Sequence, residues 1–205
     1  MNTSQTPPIA SLIASKPDDF IWRLSVEQYQ EMIRAGILTA DDPVELLEGW
    51  LVYKMPKNPP HRIATRLTQD ALETIVPAGW YVDSREPITL DDSEPEPDVT
   101  IVRGETRSYR DRHPGSTDVA LVVEVADATL DRDCGAKKRL YARAGIAVYW
   151  IINLAENLLE VYTGPSGPTE EPDYRQRRDY TLSDLVPVVI EGSEVGRIAV
   201  RDLLP

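Results

Sequence analysis

Cysteine and histidine are scarce in this sequence, which has one cysteine, Cys134, and two histidines among its 205 residues. A lone cysteine excludes an internal disulfide framework and a cysteine-rich zinc cluster, because each needs several sulfur atoms. Two histidines also argue against a metal site built from imidazole rings. We therefore expect a protein without internal disulfides and, on that ground, a cytoplasmic one.

Long apolar runs are missing as well. No run approaches the roughly 20 residues that a transmembrane helix needs, so we expect no membrane span. Residues 1–20 have neither the basic start nor the sustained apolar stretch of a secretion signal, and we interpret them as a flexible leader. The remaining residues, 21–205, are numerous enough for one domain with its own core.

Basic residues are outnumbered, since 22 lysines and arginines stand against 34 acids and the formal net charge is −12. Broad, nonspecific adhesion to nucleic acid needs a basic surface that neutralises phosphates, so this balance argues against it. A local basic patch beside an acidic metal site remains compatible with the total, because carboxylates that hold cations count toward the negative charge.

The sequence pattern of residues 25–55 predicts a helix followed by a hairpin. Ser25, with Gln28 three residues later, forms a capping box at the start of the helix. The segment VELLEGWLVY then consists of two short apolar runs around Glu48 and Gly49. Two such runs joined by a tight, glycine-containing turn are typical of a β-hairpin.

The middle of the chain alternates helical and strand-like patterns. A helix is predicted after Pro59 and Pro60, running to about Val76, with one buried face whose residues recur every four positions: Ile63, Leu67, Ala71 and Ile75. Three strand-like segments follow, WYVDSREPITL, PDVTIV and VALVVEV, and a second helix from about Leu130 to Ala144 leads into the apolar strand VYWIIN. The order helix, three strands, helix, strand predicts an α/β fold with a central mixed sheet flanked by helices, in which the helical crossover favours a parallel strand pair.

The C-terminal part, residues 164–205, is interpreted as an elaboration of that core. Residues 164–180 are polar and rich in glycine and proline, which is typical of a loop. The later segments VPVVI and RIAVRDLL are apolar and short, and we expect edge elements there.

Two acids interrupt apolar strand patterns. Asp98 directly precedes VTIV, and Glu124 lies inside LVVEV. A carboxylate within an apolar strand is costly unless it is paired or bound to a cation. If the two strands are neighbours, both carboxylates can point to one edge of the sheet, where phosphate oxygens and water would complete the oxygen shell of Mg²⁺. The alternatives are a surface position at a strand start for Asp98, and an outward edge position or a buried ion pair for Glu124.

The tripeptide Glu-Pro-Asp occurs twice, at 96–98 and at 171–173. The second copy is followed by YRQRRDY, which has no apolar strand pattern to carry a site. Only the first copy therefore has the context that a strand-end carboxylate site requires.

The helix after Glu124 carries one charge within its apolar stripe. Successive positions on that face are Leu130, Cys134, Lys137, Tyr141 and Ala144. A lysine directed at the core needs an anionic partner, and Glu124 lies just before this helix in the chain. The alternative is a lysine whose aliphatic stem packs against the core while its ammonium reaches water.

These residues together resemble the PD-(D/E)xK nuclease superfamily and, within it, the Uma-type family of restriction endonucleases. The segments that carry the resemblance are VELLEGWLV, EPDVTIV, LVVEVADAT and RDCGAKKRLYARAGIAVYWIIN, and they cover roughly residues 24–163. The resemblance implies a restriction endonuclease-like fold with a nuclease core at about 59–163.

The resemblance also implies roles for individual residues. Asp98 and Glu124 match the positions that bind Mg²⁺, with Mn²⁺ as a possible substitute. The superfamily places its catalytic lysine two residues after the glutamate, where this sequence has Ala126. In this family the lysine is similarly supplied by the following helix, which indicates Lys137.

Three further residues are expected at the border of the site, two of them because they match family positions there. They are Glu45 in the first hairpin, His61 at the start of the first core helix, and Tyr141 on the stripe that carries Lys137.

A nucleic-acid substrate needs positive surface near the site. Arginines cluster in the segment between the two acid-bearing strands: Arg103, Arg107, Arg110 and Arg112. We expect this loop to overhang the site and contact DNA, with the RQRR segment at 175–178 as a second candidate. A solvated loop of mixed charge is the alternative in each case.

The sequence thus favours a Mg²⁺-dependent endonuclease that hydrolyses phosphodiester bonds in DNA, working as a homodimer because cutting both strands of a duplex usually needs two sites. The main alternative is a nuclease-fold protein that binds nucleic acid or a protein partner without cleaving. A phosphoesterase for another substrate and a carboxylate-pair glycosidase are further alternatives. The glycosidase is disfavoured because one Phe and four Trp leave little to stack on sugars.

Overall fold

A computed structural model describes residues 22–39, 41–127 and 132–205. The predicted leader, residues 1–20, lies outside the described residues, and so does the predicted start of the second core helix at Leu130.

Within the described ranges the chain forms three α-helices: α1 (Val26–Arg34), α2 (Pro59–Glu73) and α3 (Lys138–Arg143). Its ten strands are β1 (Val44–Leu47), β2 (Trp50–Tyr53), β3 (Trp80–Asp83), β4 (Val99–Arg103), β5 (Val119–Ala126), β6 (Val148–Asn153), β7 (Leu158–Pro165), β8 (Tyr174–Thr181), β9 (Leu185–Ile190) and β10 (Ser193–Ala199). A π-helical segment (Asp133–Lys137) runs directly into α3. Short 3-10 helices occupy Thr106–Tyr109, Ser116–Asp118 and Val200–Asp202.

Six strands form the central sheet, in the order β3-β4-β5-β6-β7-β8. Strands β5 and β6 are parallel and all the other neighbours are antiparallel. The parallel pair is the one that the helical crossover connects, because a chain that returns through a helix re-enters the sheet in the same direction. The mixed α/β sheet predicted from the element order is confirmed.

Both faces of the sheet are covered, which makes three layers. On one face, α2 and the β9–β10 hairpin pack over inward residues such as Val123, Trp150 and Val161. On the other face, α3 and the β1–β2 hairpin pack over residues such as Val122 and Ile151. Coverage on both sides explains why β5 and β6 are buried along their whole length and read as continuous apolar runs.

The N-terminal helix and hairpin form where the sequence predicts them. Ser25 caps α1, and the capping box with Gln28 is complete in both directions. The β1–β2 turn is at Glu48 and Gly49, whose φ of 79° favours glycine. A Cβ on Gly49 would also lie 2.6 Å from the Cβ of Arg23, so glycine is required there for space as well.

The predicted buried face of α2 is wrong at Ile63 and only partly right at Leu67, Ala71 and Ile75, which are partly buried. Ile63 is 47% exposed, and the buried residues of the helix are His61, Ala64, Thr65, Thr68 and Leu72. Residues spaced by four advance 400° around a helix, so each step drifts by about 40° and three steps by about 120°. The predicted residues therefore drift off one face: Ile63 is exposed, whereas Ala71 and Ile75, the latter just beyond the helix, pack against the core.

The predicted loop over residues 164–180 is also wrong in its second half, because Tyr174–Thr181 forms the edge strand β8. Its five consecutive exposed polar residues hide the strand from any alternation pattern. Strands β9 and β10 pair only with each other, and Val186, Val188 and Ile198 are buried against the sheet. They are a core-covering hairpin, whereas the sequence predicts edge elements.

The first predicted strand segment is shorter than expected. Of WYVDSREPITL, only Trp80–Asp83 is a strand. Arg85 has a positive φ of 62°, and Pro87 follows two residues later, so the extended pairing ends before both. In the part of the chain that the structure describes, no helix is both long and apolar enough to cross a membrane.

Candidate active site

A cleft of about 300 Å³ opens where β4 begins and β5 ends. Val99 pairs with Val123, so Asp98 and Glu124 are the next positions along these two neighbouring strands. The cleft is lined by the β2–α2 connection and the π-helical segment as well, and both acids and Lys137 face it. The structure therefore brings the three principal predicted residues together.

Asp98 is 3% exposed, and both of its carboxylate oxygens accept hydrogen bonds. The Lys57 ammonium lies 2.6 Å from Oδ1, while His61 Nε2 and the Val125 amide lie 3.1 Å and 2.9 Å from Oδ2. Burial pushes the pKa of Asp98 upward, but the hydrogen bond from His61 and the attraction of Lys57 outweigh it and hold the pKa well below its usual range. Asp98 is thus an ionised carboxylate surrounded by donors.

Glu124 is equally buried but has fewer donors. Its Oε1 accepts a hydrogen bond from the Lys137 ammonium at 2.8 Å and another from the Tyr141 hydroxyl at 2.8 Å. Burial raises the pKa of Glu124 to about 8, against the opposing attraction of Lys137. More positive charge beside this carboxyl would stabilise its ionised form.

Lys137 ends the π-helical segment and is 3% exposed. Besides its bond to Glu124, its ammonium lies 3.7 Å from Oε2 of Glu45, so it sits between two carboxylates. Burial alone would lower the pKa of Lys137, but these carboxylates raise it above its usual value. The ammonium is therefore charged at neutral pH. The alternative of a lysine that reaches bulk water does not hold.

Glu45 and His61, both expected at the border, line the cleft. Glu45 is 1% exposed and accepts the Glu96 amide at 3.1 Å, and Arg132 Nη1 lies 3.9 Å from its Oε1. The hairpin register, in which Glu45 pairs with Val52, holds this carboxylate over the site.

His61 is placed by the start of α2. Asn58 caps that helix by accepting the His61 amide at 3.0 Å, and its side-chain nitrogen donates to Asp127 at the end of β5. This double role of Asn58 ties α2 to the strand that carries Glu124. The imidazole consequently points at Asp98, whereas a lone histidine at a helix start is more often exposed.

Ala126 lies on the same face of β5 as Glu124. It is two residues after Glu124 in β5, fully buried, and belongs to the same packed cluster as Tyr141. Side chains at i and i+2 of a strand share a face. The small Ala126 leaves room on that face, and Lys137 reaches Glu124 from the helix above it.

Six acids and five bases line the cleft, with His61 in addition. The acids are Glu45, Glu96, Asp98, Glu124, Asp127 and Asp133, and the bases are Lys54, Lys57, Arg85, Arg132 and Lys137. The cleft is therefore close to neutral, although the whole chain carries a formal charge of −12. Basic side chains are concentrated where the buried carboxylates are.

The arginine-rich segment does not overhang the cleft, and that prediction is wrong. Strands β4 and β5 are antiparallel, so the connection between them leaves β4 at the end opposite Asp98. Five residues of strand separate the two ends, which is about 17 Å. Arg103 pairs there with Glu191, and Arg112 pairs with Asp118.

The RQRR segment, the second basic candidate, lies within the edge strand β8, where all four of its residues are exposed. The second Glu-Pro-Asp is in the connection before β8, where Asp173 pairs with Lys138 at 2.9 Å. This second Glu-Pro-Asp does not line the cleft. That agrees with the prediction made from the absence of an apolar strand pattern after it.

Lys57, Asn58, Asp127 and Arg132 line the cleft but were not singled out from the sequence. A signal existed for Asn58, because an asparagine before Pro59–Pro60 is a typical helix N-cap. No local pattern distinguishes Lys57 from any other lysine in an irregular segment, since its bond to Asp98 spans 41 residues.

Comparison with known proteins gives one family and one fold. The model of the family Uma2, described as "Putative restriction endonuclease", matches residues 26–197. No curated protein matches the chain.

Among solved structures, the chain is similar to the "putative nuclease belonging to DUF820 from Anabaena variabilis ATCC 29413". The two chains share 15% identity with a TM-score of 0.66, over 88% of this chain and 97% of the other. At that identity the likeness shows the fold. The family match covers most of the chain, which therefore belongs to the Uma2 family of restriction endonuclease-like, nuclease-like proteins.

Proposed function

We propose that this protein is a metal-dependent endonuclease that hydrolyses phosphodiester bonds in DNA, with Asp98, Glu124 and Lys137 as its catalytic residues. The observation that carries the proposal is their convergence on one cleft from three separate elements. Each is almost fully buried, and Lys137 lies within hydrogen-bond distance of Glu124. Buried charges of this kind cost free energy and are concentrated at functional sites.

The residues present fit a hard divalent cation such as Mg²⁺ or Mn²⁺. Among the described residues, no three His, Cys, Asp or Glu side chains are grouped to hold a metal alone. Mg²⁺ does not require such a cage, because it is usually held by one or two carboxylates together with water and substrate phosphates. The raised pKa of Glu124 also indicates a carboxyl short of positive charge, which a cation would supply.

Asp98 and Glu124 would hold the cation, whose chemistry is to polarise the phosphate and lower the pKa of an attacking water. The charged Lys137 contributes a hydrogen-bond donor that can orient that water and stabilise negative charge on the phosphate. Because the pKa of Lys137 is raised, it acts as a donor and not as a proton acceptor. Tyr141 holds Glu124 in place through the second bond to Oε1.

The near-neutral cleft supports access of a polyanion despite the acidic chain. We propose a homodimer, since two sites are needed to cut both strands of a duplex, and a cytoplasmic location, since the single cysteine allows no internal disulfide framework. The arginines at 103, 107, 110 and 112 remain candidates for nucleic-acid contact, but away from the cleft.

A protein that binds nucleic acid or a partner without cleaving is the second candidate. One observation favours it: both oxygens of Asp98 already accept hydrogen bonds, from Lys57, His61 and Val125. These donors take three of the roughly four lone-pair sites of the carboxylate, and a cation at the remaining site on Oδ1 would lie beside the like-charged Lys57 ammonium. The endonuclease and the non-cleaving protein are distinguished by whether DNA is cut, since both could bind DNA with the same affinity.

Plasmid nicking with Mg²⁺ or Mn²⁺ tests the proposal. We expect Asp98→Asn and Lys137→Met to lose at least about 100-fold in rate, because each removes a charge from the reacting centre. Lys138→Met is the matched control, since this neighbouring lysine pairs with Asp173 outside the cleft, and its rate should stay within about twofold.

Two outcomes contradict the proposal. Equal nicking by wild type, Asp98→Asn and Lys137→Met would show that a contaminant cuts the plasmid. No nicking by any of them, with DNA binding retained, would favour the non-cleaving alternative.

A further inference from the structure

Asp98 is held by two side chains whose anchoring differs greatly. His61 is 11% exposed at the side chain and is fixed within α2. Lys57 belongs to the irregular connection between β2 and α2, and its side chain is 35% exposed. A half-exposed lysine on a flexible stem can exchange one partner for another at little cost, because water can take over its ammonium.

Lys137 provides the contrast within the same cleft. Its side chain is 4% exposed, and it lies between Glu124 and Glu45. Withdrawing it would leave Glu45 and Glu124 buried without the ammonium that both contact, which is strongly unfavourable. Of the two lysines that touch the principal carboxylates, only Lys57 is therefore free to leave.

The backbone on the C-terminal side of Lys57 is anchored and need not move for that exchange. Asn58 is fixed by its cap to the His61 amide and by its bond to Asp127. Movement of the lysine side chain suffices, because it is already 35% exposed beside the cleft wall that Met55 and Pro56 also line.

We propose that Lys57 is a tethered counter-ion that occupies Asp98 in the metal-free protein and must be displaced before a divalent cation binds. The inference rests on the proposed function, because it takes Asp98 as a metal ligand. Lys57 neutralises a buried carboxylate that would otherwise be uncompensated. It also competes with the cation for the same oxygen, so it lowers the cation affinity of the site.

Lys54 offers a matched control. It lines the same cleft, its side chain is 31% exposed, and its ammonium binds Glu96 at 2.8 Å instead of Asp98. Removing either lysine changes the net charge of the cleft equally. A difference between the two variants therefore reports the contact with Asp98 and not the general electrostatic field.

Binding of Mn²⁺, measured by the resonance signal of the free ion, tests the competition. We expect Lys57→Met to bind Mn²⁺ at least about tenfold more tightly than wild type, since a charge-assisted hydrogen bond no longer opposes the ion. Lys54→Met should stay within about threefold of wild type. Asp98→Asn should lose the binding.

Unchanged or weaker binding by Lys57→Met, with Asp98→Asn still losing it, overturns the counter-ion but leaves the nuclease proposal intact. Loss of Mn²⁺ binding in every protein overturns both. Binding that follows the expected order, without any nicking of DNA, supports the counter-ion and contradicts the endonuclease.

A second measurement uses the wild type alone and does not depend on how the variants fold. Amine acetylation, followed by mass spectrometry of the 54–57 segment, reports how accessible each ammonium is. Mn²⁺ should raise the acetylation rate of Lys57 by about threefold or more, while Lys54 stays constant. A rate for Lys57 that Mn²⁺ leaves unchanged, or an equal rise at both lysines, would disprove the displacement.

Discussion

Two carboxyl groups on adjacent strands have pKa values that are shifted in opposite directions. Asp98 receives a backbone amide, an imidazole and an ammonium, and its pKa is lowered. Glu124 shares one ammonium with Glu45 and receives one hydroxyl, and its pKa is raised. The difference comes from the number of donors, because both groups are buried to the same extent.

The raised pKa of Glu124 makes a prediction about stability and pH. A carboxyl whose pKa rises from 4.5 to about 8 on folding contributes stability that is present below pH 4.5 and is lost as the pH rises toward 8. Glu124→Gln has no proton to lose. Its free energy of unfolding, relative to wild type, should therefore increase by about 1 kcal/mol or more between pH 5 and pH 8.

Urea unfolding at the two pH values measures this difference. Glu105→Gln, at an exposed position, is the control and should follow wild type. If the gap between Glu124→Gln and wild type is the same at both pH values, Glu124 is ionised throughout and its burial is fully compensated by Lys137.

At the scale of elements, the cleft is built by parts that are distant in the chain. The β1–β2 hairpin contributes Glu45, the start of α2 contributes His61, and the π-helical segment contributes Lys137. The π-helical turn is closed by the Lys138 amide, which donates to the Asp133 carbonyl five residues back. Such wider turns are rare and are often found at functional sites, where they redirect a side chain.

The corrected face of α2 predicts how its substitutions affect stability. Leu72 is fully buried, so Leu72→Ala should cost about 2–4 kcal/mol of unfolding free energy. Ile63 is half exposed, so Ile63→Gln should change it by no more than about 0.5 kcal/mol. Thermal or urea unfolding of both variants measures the difference. A large loss of unfolding free energy in Ile63→Gln would mean that Ile63 belongs to the buried face of α2, as its spacing predicts.

At the scale of the whole molecule, the direction of one strand pair decides what lies near the site. Because β4 and β5 are antiparallel, their connecting segment and its arginines lie at the far end of the sheet from Asp98. The limits of the domain, at about 21–205, stay a prediction, although the family match and the sheet occupy much of that range.

The distant position of the arginine segment predicts that it is not needed for phosphodiester hydrolysis. The double variant Arg107→Ala and Arg110→Ala should nick plasmid DNA within about threefold of wild type at about 0.15 M salt, because the Debye length is then about 8 Å and charges beyond it are largely screened. Rates measured at two salt concentrations separate binding from chemistry, since phosphate contacts make binding salt-dependent. A loss as large as that of Lys137→Met would mean that DNA reaches from that segment to the cleft.

Elements that depend on neighbouring residues could be predicted from local patterns in the sequence. The capping box of α1, the hairpin turn at Gly49 and the parallel pair β5–β6 follow from local patterns and from a connection rule, and all are present. Asp98, Glu124 and Lys137 could also be identified from the sequence, because each is an isolated charge that interrupts a local apolar pattern. Their place in one cleft agrees with the expectation, and their catalytic roles stay predictions.

The partners of each charged side chain became known from the folded arrangement of the chain. The bonds of Asp98 to Lys57 and His61, the buried face of α2, and the pairing of the polar strand β8 all depend on residues far away in the chain. No local pattern marks them, since a polar strand resembles a loop until a neighbouring strand supplies its hydrogen bonds. For the same reason, Lys57 could be recognised as the counter-ion of Asp98 only after folding brought the β2–α2 connection to the start of β4.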